Sequence, residues 1–274
     1  MASSWKADGT RVTKADLAIS KAILGRLAKE FPEDQHFSEE LVDAGVPVPA
    51  TARFCWVLDP IDGTNNYAAG IPFCAISLAL LERGRPVYGV VYDMARRVLL
   101  HGGPTAGAWQ GRRRVRVRPE APHKDSLIAL HSPYAGELVP EAAAVLGHFK
   151  IRGLGSSTLH LAYVGCGLID GVVDHNVRVW DIAAAHAIAA GGGAEIHYLR
   201  NNPFPLTRFA TVLPRIHYVA GNTRICARLM SLIKAAKRED RTSPGSGEIT
   251  GPALPHKATR ARTRSGTASA ASDR

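Results

Sequence analysis

Trp56-Val57-Leu58-Asp59-Pro60-Ile61-Asp62-Gly63-Thr64-Asn65-Asn66-Tyr67 is the stretch on which the reading of the whole chain turns. The apolar run from Phe54 to Leu58 is short and rich in β-formers, which predicts a buried strand. Proline at position 60 removes an amide donor and biases the residue before it away from helix, so the strand is expected to stop at Asp59-Pro60. Asp59 and Asp62 then fall three residues apart on a loop, followed by the permissive backbone of Gly63 and the hydroxyl of Thr64. Two carboxylates on a tight turn make an oxygen-lined seat for a hard divalent cation. The amides of Gly63, Thr64 and Asn65 can form a nest for an anion, above all if a helix starts there. A cation seat beside an anion cradle points to metal-assisted phosphoryl chemistry. The competing reading is a plain Asx-type turn with a proline and a glycine.

The chain has 274 residues, 46% of them hydrophobic, enough for one large domain or two modest ones with a proper core. No apolar run reaches the ~18 residues of a membrane span. Met1-Ala-Ser-Ser-Trp-Lys6 has no apolar signal core, so a cytoplasmic protein is expected. Cys55, Cys74, Cys166 and Cys226 lack C-x-x-C spacing and read as reduced thiols. The net charge of +10 is localised, in Arg112 to Arg118 and in the tail beyond Lys237. Alternating Arg and Val in the first cluster predicts an exposed strand with one wet face; phosphate steering or nucleic-acid binding is the alternative.

Thr13-Lys14-Ala15-Asp16 reads as a helix start, with Thr13 as cap and Asp16 as its reciprocal partner. The apolar stripe runs on through Leu27 and stops near Phe31-Pro32. Glu39-Glu40, taken alone, is a solvated surface. Gly84-Arg85-Pro86 between two apolar runs marks a hairpin. Further strands follow at Val98–His101 and Ala108–Val117, then at Leu127–His131. Gly155-Ser156-Ser157-Thr158 caps a helix whose N-terminus can bind phosphate or a hydroxyl, or serve as an ordinary cap. A strand from Leu168 to Val173 is expected to end at Asp174, and Asp181 reads as the N-cap of an alanine-rich helix that stops at Gly191-Gly192-Gly193. A last strand, Tyr218 to Asn222, and a helix, Arg224 to Ala236, precede a tail with too little apolar surface to order.

Asp59-Pro-Ile-Asp-Gly-Thr64 resembles the signature of the inositol monophosphatase family, the lithium-sensitive, magnesium-dependent phosphomonoesterases. Val12-Thr13-Lys14-Ala15-Asp16, Glu39-Glu40 and Trp180-Asp181-Ile182-Ala183-Ala184 match its other motifs in the right order, over roughly residues 6 to 235. Lys6-Ala7-Asp8-Gly9-Thr10 is similar to the histidinol-phosphatase branch, and Asn65-Asn66-Tyr67 to the inositol phosphatases. The resemblance implies an α/β, layered αβαβα sandwich. Its N-terminal half would cover residues 1–118, its C-terminal half 119–236, and a disordered basic tail 237–274.

It further implies that Glu39, Asp59, Asp62, Asp181 and the Ile61 carbonyl hold two or three Mg2+ ions, with Asp16 serving an additional site. Glu39, Thr64 and Asp59 are then catalytic, and Gly63, Thr64, Asn65, Ser156 and Asp174 face the substrate. Asp174 stands where these phosphatases usually carry a glutamate, and Ser38 where glycine precedes the paired glutamates. Family members also carry a helix ahead of V-T-x-x-D, whereas about a dozen residues precede it here, so either that helix is missing or the start is assigned too late; its loss would be expected to expose apolar surface. The implied partners are a small phosphorylated substrate, myo-inositol-1-phosphate first, and a second copy of the chain; membrane and nucleic acid are not expected. Histidinol-phosphate phosphatase and fructose-1,6-bisphosphatase activities are alternatives on the same fold. A basic nucleic-acid-binding protein or an inactive relative are alternatives of another class.

Overall fold

The computed structural model describes residues 3–5, 11–41, 46–200 and 202–242. The similarity at 6–10 and the tail from 243 onward lie outside the described residues.

Seven strands build the first sheet: β1 (Gln35–Ser38), β2 (Phe54–Asp62), β3 (Ala75–Glu82), β4 (Arg85–Asp93), β5 (Val98–Gly103), β6 (Gly107–Gln110) and β7 (Arg113–Val115). They lie side by side in chain order, antiparallel except for β1 against β2. Burial alternates along β3, which is what a period of two residues produces when one face meets a core. The second sheet holds β8 (Leu127–Leu130), β9 (Lys150–Arg152), β10 (Gly171–Val177), β11 (Glu195–Tyr198) and β12 (Ile216–Gly221), in the order β9-β8-β10-β12-β11.

Helices fill three layers. Helix α1 (Lys14–Glu30) packs on β1 and β2. Helices α4 (Ser157–Gly165) and α5 (Val179–Gly191) lie between the sheets, while α3 (Val139–Leu146) and α6 (Thr223–Thr242) cover the outer face of the second sheet. The short helix α2 (Thr64–Ala69) follows β2. The result is the expected αβαβα sandwich. Helix α5 is apolar almost all round, and its buried alanines let it sit close to β4, where a Cβ on Gly89 would meet the Ala184 carbonyl at 2.1 Å. Leu17 and Phe31 on the outer layer are exposed.

Several boundaries differ from the sequence reading. Strand β2 does not stop at Asp59-Pro60 but runs to Asp62, so both aspartates belong to the strand end rather than to a loop. Its pairing with β3 slips between Asp59 and Asp62, and that irregularity accommodates a proline without an amide hydrogen. Strand β10 does not end at Asp174 but continues to Val177, which places Asp174 inside the sheet opposite Tyr218. Helix α5 is capped by Arg178, not Asp181; Asp181 sits three residues in and accepts the Arg178 amide at 2.7 Å. Helix α6 runs to Thr242 rather than Ala236, so 237–242 belong to a helix, and Lys237 reaches Glu141 at 3.1 Å. Arg114 and Arg116 are exposed on either side of buried Val115, as alternation predicts, but the strand stops at Val115. Arg118 instead crosses to the second half, donating to the Gly167 and Leu168 carbonyls. All four cysteines are free and buried.

Candidate active site

The end of β2 delivers Asp59 and Asp62 to a cleft of about 220 Å³ that also takes Glu39, Ile61, Gly63, Thr64, Asn65 and Asp181. Glu39 follows directly on β1, which runs parallel to β2, so the two strand ends arrive together. Ser38 is extended and fully buried, its hydroxyl 3.0 Å from that of Ser20, so no glycine is needed there.

Gly63 is the hinge between β2 and α2. Its φ of +83° lies in the left-handed region, and an added Cβ would meet the Phe73 carbonyl at 2.8 Å. Thr64 donates to the Ile61 carbonyl at 2.9 Å. Asn66 then ties α2 to the other half of the molecule through the Leu154 carbonyl at 2.7 Å.

Asp62 is held from that other half as well. The Ser156 hydroxyl and the Thr158 amide, at the start of α4, both donate to its Oδ2, the latter at 2.8 Å. Ser156 is fully buried, caps α4 through the Leu159 amide and orients Asp62. Asp174 is likewise fully buried and absent from the cleft lining, because β10 continues past it. It accepts the Ser157 hydroxyl at 2.9 Å. Asp16 is buried and bound to the amide and hydroxyl of Thr13, at 2.7 and 2.6 Å, as the capping reading requires.

The electrostatics of the cluster test whether a cation fits. Carboxylate oxygens of Asp59, Asp62 and Asp181 lie within 4.8 Å of one another. Burial pushes Asp59 well above the usual carboxylate range, and the charges of Glu39, Asp62, Asp181 and Asp16 push it further. Asp181 is raised for the same reasons, burial first and then Asp62 and Glu39. Asp62 is raised by burial against the opposing bonds from Ser156 and Thr158. A hard divalent cation relieves this repulsion, and an all-oxygen donor set suits one. The group fits.

The cleft has a second wall that the sequence reading missed. His131, Gly155, Asn176, Arg178, Trp180 and Arg215 line it, from the ends of β8, β10 and β12 and from the α5 cap. No motif marks His131, Asn176, Arg178 or Arg215, because they come together only when the second sheet packs against the first. The Trp180-Asp181 pair and the Gly155-Ser156 turn were the nearest signals.

Strand-end carboxylates gathered in an interlayer cleft beside the Gly63 turn fit a metal-dependent phosphomonoesterase, and the comparisons agree. The family model described as "Inositol monophosphatase family" matches residues 3–237. An inositol-1-monophosphatase of Mesorhizobium japonicum is 31% identical over 84% of this chain and 85% of its own. A Nus factor SuhB of Pasteurella multocida is 29% identical over 84% of each chain. The solved SuhB of Bartonella henselae superposes with a TM-score of 0.75 at 29% identity, over 85% of this chain and 90% of its own. The chain belongs to the inositol monophosphatase family and is a phosphomonoesterase. Among the described residues no helix is long and apolar enough to cross a membrane.

Proposed function

We propose that the protein is a Mg2+-dependent phosphatase of small sugar or polyol phosphates, with myo-inositol-1-phosphate the first candidate, acting in the cytoplasm as a homodimer without a nucleic-acid partner. The observation that supports this best is the buried Asp59-Asp62-Asp181 cluster with Glu39 beside it. Bound there, Mg2+ supplies charge neutralisation and water activation. Asp59, Asp62, Asp181, Glu39 and the Ile61 carbonyl would hold it. Glu39 and Thr64 position the attacking water and Glu39 takes up its proton, the Thr64 hydroxyl being anchored as a donor on the Ile61 carbonyl. The amides of Gly63, Thr64 and Asn65 hold the phosphate, and attack proceeds in line with the leaving oxygen. Ser156 and Thr158 fix Asp62, so the second half of the chain governs the ligand geometry of the first.

The test is phosphate release from inositol-1-phosphate, histidinol phosphate, fructose-1,6-bisphosphate and 3′-phosphoadenosine 5′-phosphate, with Mg2+, with EDTA and with added Li+. Release from one of them that needs Mg2+ and falls with Li+ is expected. Release undiminished by EDTA overturns the metal-assisted reading. Sedimentation of the purified chain checks the dimer.

A further inference from the structure

The 220 Å³ cleft is small for a ligand pocket, which usually spans about 300–1,000 Å³. A cavity of about 720 Å³ adjoins it, and Asn176 and Arg215 line both. A ligand that starts at Asp59 and Asp62 therefore has room to continue past Arg215. What it meets there is positive. Arg200, Arg208 and Arg215 line the cavity against one carboxylate, Glu137. All three arginines are exposed, and among the described residues none is paired with a carboxylate. Among the described residues the guanidinium of Arg215 makes a single bond, to the Asn176 carbonyl at 3.3 Å. The three come from separate places: Arg200 just after β11, Arg208 in the two-residue strand Arg208–Phe209 that pairs with Val48–Pro49, and Arg215 just before β12. Unpaired guanidinium groups converging on one concave wall create a local positive potential that an anion neutralises through charge-assisted, often bidentate, hydrogen bonds.

We propose that the substrate's leaving group is an extended body carrying a second anionic group, a phosphate or a carboxylate, which lies in this cavity against Arg200, Arg208 and Arg215 while the scissile phosphate lies at Asp59, Asp62 and Asp181. This rests on the phosphatase reading and narrows its substrate class to doubly anionic esters, which displaces the singly anionic myo-inositol-1-phosphate as first candidate. The cavity arginines bind and orient; the reaction remains hydrolysis of one phosphate ester by water, and the second anion leaves unchanged.

Two matched pairs test it. Fructose-1,6-bisphosphate against fructose-1-phosphate probes a second phosphate, and 6-phosphogluconate against glucitol-6-phosphate probes a carboxylate. The doubly anionic member of one pair is expected to show at least about a tenfold higher kcat/KM, the effect of one charge-assisted hydrogen bond. In the Arg200→Gln/Arg208→Gln variant that preference should fall towards unity. Equal kcat/KM within both pairs, or a preference that survives the double variant, overturns the proposal. Calorimetric binding of the same pairs, with Ca2+ in place of Mg2+, separates the two readings. If no compound is hydrolysed, the phosphatase reading fails by itself. Arginine-dependent preference in binding then still supports the anion site, and equal affinity sinks it.

Discussion

Two three-residue clusters in this molecule look alike on paper and behave in opposite ways. Asp59, Asp62 and Asp181 form one; His131, His160 and Asp174 form the other, with potential metal-ligating atoms equally close together. In the first, burial and mutual repulsion hold Asp59 and Asp181 far above the usual carboxylate range. In the second, burial opposes ionisation of Asp174, but the two imidazoles facing it, His131 first, hold its carboxyl well below that range. The hydrogen bonds explain why. Ser157 donates to Asp174 at 2.9 Å and accepts from His131 Nδ1 at 2.6 Å. The Leu154 amide donates to His160 Nε2, which leaves the His160 proton on Nδ1, turned towards Asp174 at 3.9 Å. One cluster is short of positive charge and needs a cation from outside. The other compensates its own carboxylate through Ser157 and the facing imidazoles, with His160 Nδ1 left without a hydrogen bond, and holds the wall that carries His131. Proximity of ligand-type residues therefore does not define a metal centre; the sign of the uncompensated charge does.

The sharpest way to break this comparison is to remove one carboxylate from each cluster. Asp59→Asn should lower metal-dependent phosphate release by at least about a hundredfold, since even outer-shell partners of a metal cost 10–100-fold. The amide oxygen can still accept the Ile61 amide, now bonded at 3.1 Å, so the fold is expected to persist. Wild-type turnover in that variant would remove Asp59 from the site. Asp174→Asn should act on stability instead. It leaves His131 and Ser157 without their ionised partner, at a cost of about 1–3 kcal/mol in urea unfolding, while the rise in thermal midpoint on adding Mg2+ is retained. Loss of that rise would show the second cluster to be part of the metal centre.

The pH dependence sharpens the same contrast. For Asp59 the folded pKa lies above the unfolded one, so its contribution is most favourable below the ordinary carboxylate range and is lost as pH rises through the folded value. The metal-free protein should therefore lose thermal stability as pH rises above the ordinary carboxylate range, by about 2–4 °C for each kcal/mol. Asp174 has the opposite shift; its contribution is present above that range and is lost only in strong acid. His131 is raised, since Asp174, Asp62 and Asp181 outweigh its burial, and it adds to the decline, whereas His175, held down to about 4 by burial, opposes it. The discriminating quantity is the slope in wild type minus the slope in Asp59→Asn, both with EDTA. No difference between them means Asp59 carries no unfavourable charge in the metal-free fold. The smallest effect is expected for Ser156→Ala, which removes the α4 cap for about 1 kcal/mol. It also frees Asp62, so the apparent Mg2+ affinity should weaken with the fold intact; an unchanged affinity would reduce Ser156 to a cap.

Local order in the chain was enough for much of this. The Thr13–Asp16 capping box, the Arg85 hairpin and the buried β2 strand follow from capping, turn chemistry and hydrophobic period, which act over a few residues. The D-P-I-D-G-T run similarly announces its carboxylates, because a strand end, a glycine at φ +83° and a hydroxyl are all local. Other features depend on partners far away in sequence. Ser156 became a clamp on Asp62 because the two halves meet there, 94 residues apart. Asp174 was drawn inside the sheet by its pairing with β12, and Asp181 yielded the cap to Arg178. The arginine-lined cavity beside the cleft likewise exists only where the ends of β10 and β12 approach the segment after β11. Short-range chemistry thus determined which residues can hold a cation. Only the packing of one sheet over the other decided which of them do so together and what surrounds them, because burial and repulsion are properties of neighbours brought together by the fold.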